Sequence, residues 1–465
     1  MKDSSRQKQP CRTGSGTSRR RFLEAGLASA ALLAARRIAP ASPEQHPRPP
    51  ARTETVLYRS VNGSPAGNMR HVLAAGRCLK SIISEKDVVV IKPNVQWWNQ
   101  GVPNLSACAA LVESIMDRPG GFSGEVVLAE NCHRGHSPGI TGTSGWTVPF
   151  ARNSDLQAVS SYAELCRMLK NRYQDRFSVV HWLDVDSGGR RVDGESGEAG
   201  YVYCDGTMHA PLLEADNERS GPDLRRVIMT YPVFRTDQGT LVDFRRGLPE
   251  QGRDFKFINL AAINHHSTYC GATGAVKNYL GISDISGGAD PDSGGRLTDT
   301  HHNFHSFAFD KWSPGPRPGM LGKAVGTFLN TVRRADLNIV CAEWVGLASR
   351  TEPPATHTRA VLLGFDPVAV DVHAAANFLY PNSGNPLHDP GNRSGPLHQY
   401  LRVCAETADC VLSPDRIQVR SMDLTSGRAL TQNSDLRIFG ETVIGSSFKT
   451  LAKHVYMRYL RQFLP

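Results

Sequence analysis

Short β-branched runs alternating with segments of helical spacing constrain this chain more than any other feature. DVVVIKPNV (87–95) is a strand-like run closed by Pro and Asn, and NLSACAALVESIMDR (104–118) carries apolar residues at helical intervals. GEVVLAEN (124–131) is a second strand-like run. Strand, helix and strand in that order require a parallel pair joined by a right-handed crossover. The rhythm returns with FKFINLAAI (255–263) as a strand and GATGAVKNYLGI (271–282) as a helix. LGKAVGTFLNTVRRA (321–335) reads as a helix and DLNIVCAEWVGL (336–347) as a strand. RAVLLGFDPVAVDVHAAANFL (359–379) reads as strand, turn and helix. The pattern predicts a single α/β domain over 55–445, a mostly parallel sheet with helices on both faces. Residues 132–253, rich in Gly, Asp, Arg and Ser, read as a large loop-rich insertion.

Ahead of the domain, Ser18-Arg19-Arg20-Arg21-Phe22-Leu23 matches the twin-arginine export pattern S-R-R-x-F-L. The apolar run from Ala25 to Ala35 is too short for a bilayer core, which needs about 20 residues. Small residues at Ala39-Pro40-Ala41 suit a cleavage site. Residues 1–41 therefore read as a twin-arginine signal peptide with Arg19 and Arg20 as its signal. The export machinery is the expected partner and the periplasm or the exterior the expected location. Residues 42–54, rich in Pro and polar groups, predict a disordered linker.

The leader changes how the charge is read. The chain carries a net +9, yet residues 1–41 hold nine Lys and Arg against two acidic residues, which leaves the mature part near +2. No nucleic-acid partner is expected from so small an excess. The cysteines are scattered, without the close pairs of a zinc site or an iron–sulfur cluster, so no such cluster is expected.

In open α/β sheets ligands bind beyond the carboxyl ends of the strands. Polar residues stand at five such positions: Lys92 with Asn94, Glu130 with Asn131, Asn264 with His265 and His266, Glu343, and Asp366. Asp366, directly before Pro367, also suits an N-cap, a role that Asp371 lies too far along to share.

VVVIKPNV, EVVLAEN, TGAVKNYLGI and LLGFDPVAVDVHAAANFL resemble the domain-of-unknown-function 362 family over roughly residues 85–380. The Lys-Pro-Asn, Thr-Gly-x-x-Lys-Asn and Asp-Pro-Val-Ala-x-Asp blocks occur in that family's order. Some members carry a ferredoxin-like module with clustered cysteines, which this chain lacks. Where the family often has Lys-x-His, Ile263 and Asn264 stand before His265.

The histidines carry the sharpest chemical signal. His265 and His266 are followed by Lys277 and then by HHNFH, with His301 or His302 and His305 on one helical face if that stretch is helical. Imidazoles suit a divalent transition metal or acid–base work. The expected catalytic group is His265, His266 and Lys277, and the expected metal ligands are His266, His301, His302 and His305. Lys92, Asn94, Thr273 and Asn278 form the expected anion-binding group, assisted by N–H groups near Thr273. Glu130, Asn131, Glu343, Asp366 and Asp371 form the expected cleft wall. The order of His, Gly-rich helix with Lys, and His is also similar in spacing to nickel-pincer lactate racemases.

Gly135-His136-Ser137-Pro138-Gly139 matches the G-x-S-x-G of a nucleophile elbow, but PGITGTSG after it cannot continue as the required helix. DISGGADPDSGG (284–295) lacks the closing Glu of a calcium loop and reads as a lid-like loop. Residues 446–465 form a cationic amphipathic pattern, read as a helix docked on the domain, with membrane-surface attachment as the other use. Two functions follow: an exported metal- or His-dependent enzyme acting on a small anionic molecule, or a periplasmic binding or accessory protein that uses the same cleft without turnover.

Overall fold

A computed structural model of the chain describes residues 54–131, 145–182, 199–204, 213–215, 225–249, 252–283, 301–303, 318–431 and 433–445, with the backbone alone for 78, 203–204, 213–215, 225–229, 301–303 and 433–434. The proposed leader, the G-x-S-x-G match, the Asp/Gly-rich loop, His305 and the C-terminal amphipathic stretch lie outside these residues.

The elements run β1 (Thr55–Val61), α1 (Pro65–Ala75), α2 (Cys78–Ile82), β2 (Val88–Pro93), α3 (Leu105–Met116), β3 (Glu125–Glu130), α4 (Tyr162–Tyr173) and β4 (Phe177–His181). Next come β5 (Gly200–Cys204), β6 (Leu213–Ala215), β7 (Arg225–Arg235), β8 (Leu241–Asp243), β9 (Phe255–Ala262), β10 (Asn264–His265), β11 (Ala272–Thr273), α5 (Ala275–Asn278) and β12 (His301–Asn303). The last part contains α6 (Pro318–Thr331), β13 (Leu337–Gly346), β14 (Ala355–Gly364), α7 (Pro367–Ala374), α8 (Tyr380–Ser383) and α9 (Pro396–Ala408). It closes with β15 (Ile417–Asp423), β16 (Arg428–Leu430), α10 (Asn433–Leu436) and β17 (Glu441–Val443).

The large sheet has the order β16-β15-β1-β14-β13-β9-β2-β3-β4, with β17 on β14. β13, β9, β2, β3 and β4 are parallel in succession, and β1 and β15 form a further parallel pair. Strand alternation explains its two packed faces. On β2, Val88 and Val90 join the core shared with α6, α7 and α9, while Val89 and Ile91 join the core shared with α1, α3 and α4. Helix α3 begins where the Asn104 side chain accepts from Ala107 N at 3.0 Å, meeting one of the N–H groups a helix start leaves over. This is the expected α/β class, with helices on both faces.

Two local expectations change. The region 132–253 was expected to be loop-rich, yet α4 and β4 continue the main fold, β4 pairing in parallel with β3. A second sheet also forms there, β12-β7-β5, with β6 and β8 on β7. The helix expected over 271–282 is only the single turn α5 followed by a 3₁₀ turn. Gly271 adopts φ +71°, and a Cβ there would meet Leu387 O at 2.1 Å, so the chain bends at a point helix geometry forbids. Within the mostly parallel sheet, β14 is antiparallel to β1 and β13. The connection over 347–354 is too short for a parallel crossover, which takes a dozen or more residues.

Candidate functional site

In register, Lys92 of β2 faces Asn259 of β9, and Asn259 faces Asn338 of β13, so one polar row crosses three parallel strands. α5 lies over it. Lys92 Nζ donates to Glu130 Oε2 at 2.9 Å, Asn278 Oδ1 at 2.7 Å and Pro93 O at 3.0 Å. Asn278 Nδ2 donates to Asn259 Oδ1 at 2.7 Å, and Asn259 Nδ2 donates to Asn338 Oδ1 at 2.9 Å. Tyr279 OH donates to the same Asn338 oxygen at 3.2 Å. Burial pushes the Glu130 carboxyl pKa up, and Lys92 opposes that push. Lys92 and Asn278, expected on sequence to hold an anion, are thus engaged in holding the sheet to α5.

The backbone N–H groups at the start of α5, also expected to serve an anion, are taken as well. Ala275 N and Val276 N donate to the two oxygens of Asp371 at 2.6 and 2.9 Å. A Cβ at Gly274 would sit 2.3 Å from that carboxylate, which accounts for glycine there. Asp371 therefore caps α5 from within α7, and burial raises its pKa to about 7 against those two hydrogen bonds. Asp366 caps its own helix, its Oδ1 accepting from Val368 N at 2.9 Å and Ala369 N at 3.0 Å, while Oδ2 accepts from Val411 N at 2.7 Å. It does not line the expected cleft. Because β14 runs backwards, Gly364 lies beside Leu57 and Asn338, near the starts of β1 and β13.

Glu343 and Asn131 form separate contacts. Glu343 Oε1 lies 2.6 Å from His357 Nε2, and the His357 ring stacks on Trp344 with centroids 4.4 Å apart. Asn131 Nδ2 donates to Ser283 O at 2.8 Å. Asn94 is half-buried just beyond β2, with Oδ1 buried and without a hydrogen-bond partner among the described residues.

The chemistry gathers instead at the β10–β11 hairpin, where Asn264 pairs with Thr273 and His265 with Ala272. Asn264 Oδ1 accepts from Gly346 N at 2.8 Å, which fastens the hairpin to the end of β13. Its Nδ2 and the Thr273 Oγ1 across from it are buried without a hydrogen-bond partner among the described residues. His266 Nδ1 accepts from Ser267 N at 2.8 Å. His265 Nδ1 lies 2.8 Å from His388 Nε2, and His388 Nδ1 lies 2.7 Å from Ser383 Oγ. His388 is fully buried, Ser383 nearly so, and His265 half-buried, so the chain of groups runs outward to His265.

Lys277, on α5 just after the hairpin, is buried at 7 % exposure. Burial is the main cause holding its pKa below the usual lysine value; Cys270 opposes the shift, and the positive Arg350 and Lys92 add to it. Cys270 is itself raised to about 11 by burial and remains a neutral thiol at neutral pH. Arg350 stacks over Trp97, its Cζ 4.5 Å from the ring centroid. Its loop is tied down by Asn99 Nδ2, donating to Thr351 O at 2.7 Å, and by Gln100 Nε2, donating to Glu352 O at 2.8 Å.

His301 and His302 lie on β12, extended rather than helical, with His301 opposite Arg226 and His302 opposite Val227. Among the described residues no group of three or more His, Cys, Asp or Glu could hold a metal ion. Arg350, Trp97 and His388 were missed on sequence. NPLHDPGN around His388 has no pattern that singles it out, and the residue reaches His265 across 123 positions. Compared with protein-family models, curated proteins and solved structures, the chain matches none.

Proposed function

We propose that this is an exported enzyme acting on a small anionic molecule, with His265 as its acid–base group and Lys277 and Arg350 as the anion's cationic partners. One observation carries the reading: Lys277 is buried on α5 just after a histidine-bearing hairpin, with Arg350 near enough to add to the burial that lowers its pKa. Lys92 is neutralised by Glu130. An anion held by Lys277 and Arg350 would favour the charged form of both. The Lys-Pro-Asn, Thr-Gly-x-x-Lys-Asn and Asp-Pro-Val-Ala-x-Asp blocks meet in one buried network through Lys92, Asn278 and Asp371, which supports the proposed kinship with the domain-of-unknown-function 362 family.

Calorimetric titration with inorganic phosphate and with malonate tests the reading. Binding should be lost in Lys277→Met and weaken as pH rises through the lowered Lys277 pKa, because the anion favours the ammonium. Failure of both probes to bind the wild type would overturn it. Recovery of a natural ligand unchanged after long incubation would favour the binding-protein alternative.

A metal enters the proposal through sequence alone, by His266 with His301, His302 and His305. Elemental analysis of untagged protein decides it, and less than one equivalent of transition metal would remove it. Export is a proposal of the same kind: Lys at both Arg19 and Arg20 should leave precursor in the cytoplasm, and unchanged export would refute it.

A further inference from the structure

The hydrogen bonds behind His265 form a chain whose direction can be worked out from its inner end. Leu387 N donates to Asn385 Oδ1 at 3.1 Å, which fixes that amide and turns its Nδ2 toward His388 Nε2 at 3.5 Å. An amide NH₂ only donates, so this long contact favours Nε2 of His388 as the acceptor and its proton on Nδ1, while the two short contacts of the ring fit either direction. That proton goes to Ser383 Oγ at 2.7 Å. Ser383 Oγ also accepts from Asn385 N at 3.2 Å and turns its own hydrogen to Tyr380 O at 3.4 Å. With Nε2 of His388 accepting, the 2.8 Å contact to His265 requires His265 Nδ1 to carry the hydrogen.

We propose that His388 is a positioning residue that holds neutral His265 in the Nδ1–H tautomer, with the lone pair on Nε2. This deepens the acid–base role proposed for His265 and rests on it for its catalytic meaning. The geometry around the pair agrees. Gly271, at the turn of the hairpin, packs on Leu387 O, the carbonyl immediately before His388, so hairpin and histidine loop are docked together. The ring planes cross at 68° with centroids 5.1 Å apart, so the two nitrogens meet along the ring edges. A histidine oriented by a second group through its other nitrogen is how such side chains are prepared for proton transfer or ligation.

The test is the nitrogen spectrum of ¹⁵N-histidine-labelled full-length protein at a pH where the imidazoles are neutral. In the wild type, His265 should show a protonated Nδ1 and an unprotonated Nε2. The reverse assignment would overturn the proposal without any variant being made. His388→Gln keeps an acceptor oxygen and should preserve the tautomer, whereas His388→Leu should shift His265 toward Nε2–H. A folded His388→Leu protein with an unchanged His265 tautomer would also overturn it. Should that variant fail to fold, Ser383→Ala is the substitute: losing the acceptor for His388 Nδ1–H should broaden or mix the His265 signals, and an unchanged spectrum counts against the chain. The outcome is separable from the functional reading, since phosphate and malonate can fail to bind while the tautomer stands.

Discussion

Lys92 and Lys277 are two buried lysines on adjoining elements, and their surroundings could hardly differ more. Lys92, 1 % exposed, meets a carboxylate, an amide oxygen and a backbone carbonyl within 3.0 Å. Lys277 lies in the field of Arg350 and Lys92, next to a thiol that stays neutral. The first environment opposes the ammonium's charge directly; in the second, burial is the main influence and Arg350 adds charge of the same sign. Residue type and burial are alike in the two cases, so any difference in role between the two lysines has to come from their neighbours.

The largest expected effect attacks the Lys92 side of this comparison. Lys92→Met leaves Glu130 buried and uncompensated, which should cost about 3–5 kcal/mol in denaturant unfolding. The double variant Lys92→Met with Glu130→Leu should regain much of that loss, and a double variant as unstable as the single would show that the ion pair is not what Lys92 supplies. Next in size is Asp366→Ala, which removes a cap and leaves the buried Val411 N without its acceptor. A loss of about 1–3 kcal/mol is expected by the same measurement, and an unchanged midpoint would refute the capping role.

Asp371→Asn sharpens the comparison through pH. Asp371 titrates near 7 in the folded protein against about 3.9 in the unfolded chain. Between those values the folded state binds the extra proton, so this group makes stability fall as pH rises from about 4 to 7. The variant, which keeps one acceptor oxygen for the start of α5, should lose that part of the slope in a series of thermal melts. The smallest effect is reserved for Lys277→Met. A lysine with a lowered folded pKa makes stability rise with pH between that value and about 10.5. The variant should be as stable as the wild type or slightly more so at neutral pH, with the advantage fading in alkaline buffer. A large loss of stability at neutral pH would place Lys277 with Lys92 as a structural residue.

The alternation that predicted parallel strands and helices depends on local spacing, which survives folding, and β2, α3, β3, β9 and β13 appear within a few residues of their expected limits. Strand direction does not reside in spacing. β14 looked like its neighbours by composition, and only the short connection after β13 carried the information that it turns back. The site divides in the same way. His265, Thr273 and Lys277 were found because their strand-end and Gly-rich settings are local. His388 and Arg350 reach the hairpin from distant loops, and no motif marks contacts of that range. Lys92, Asn278 and the first N–H groups of α5 looked available on sequence because the carboxylates that occupy them, Glu130 and Asp371, come from other elements.

The reversed direction of β14 has a consequence for how the imidazole pair comes together. A strand that runs back leaves the chain at the wrong end of the sheet, and α7 and the turns after it must climb the whole way again before His388 can touch His265. The two rings are 123 positions apart, and the chain between them includes β14, which lies between β1 and β13 in the sheet. Closing a loop of that length carries an entropy cost, though one that grows only slowly with length. The imidazole pair is thus a property of the assembled fold: a chain that has not closed this loop has both histidines but not their contact.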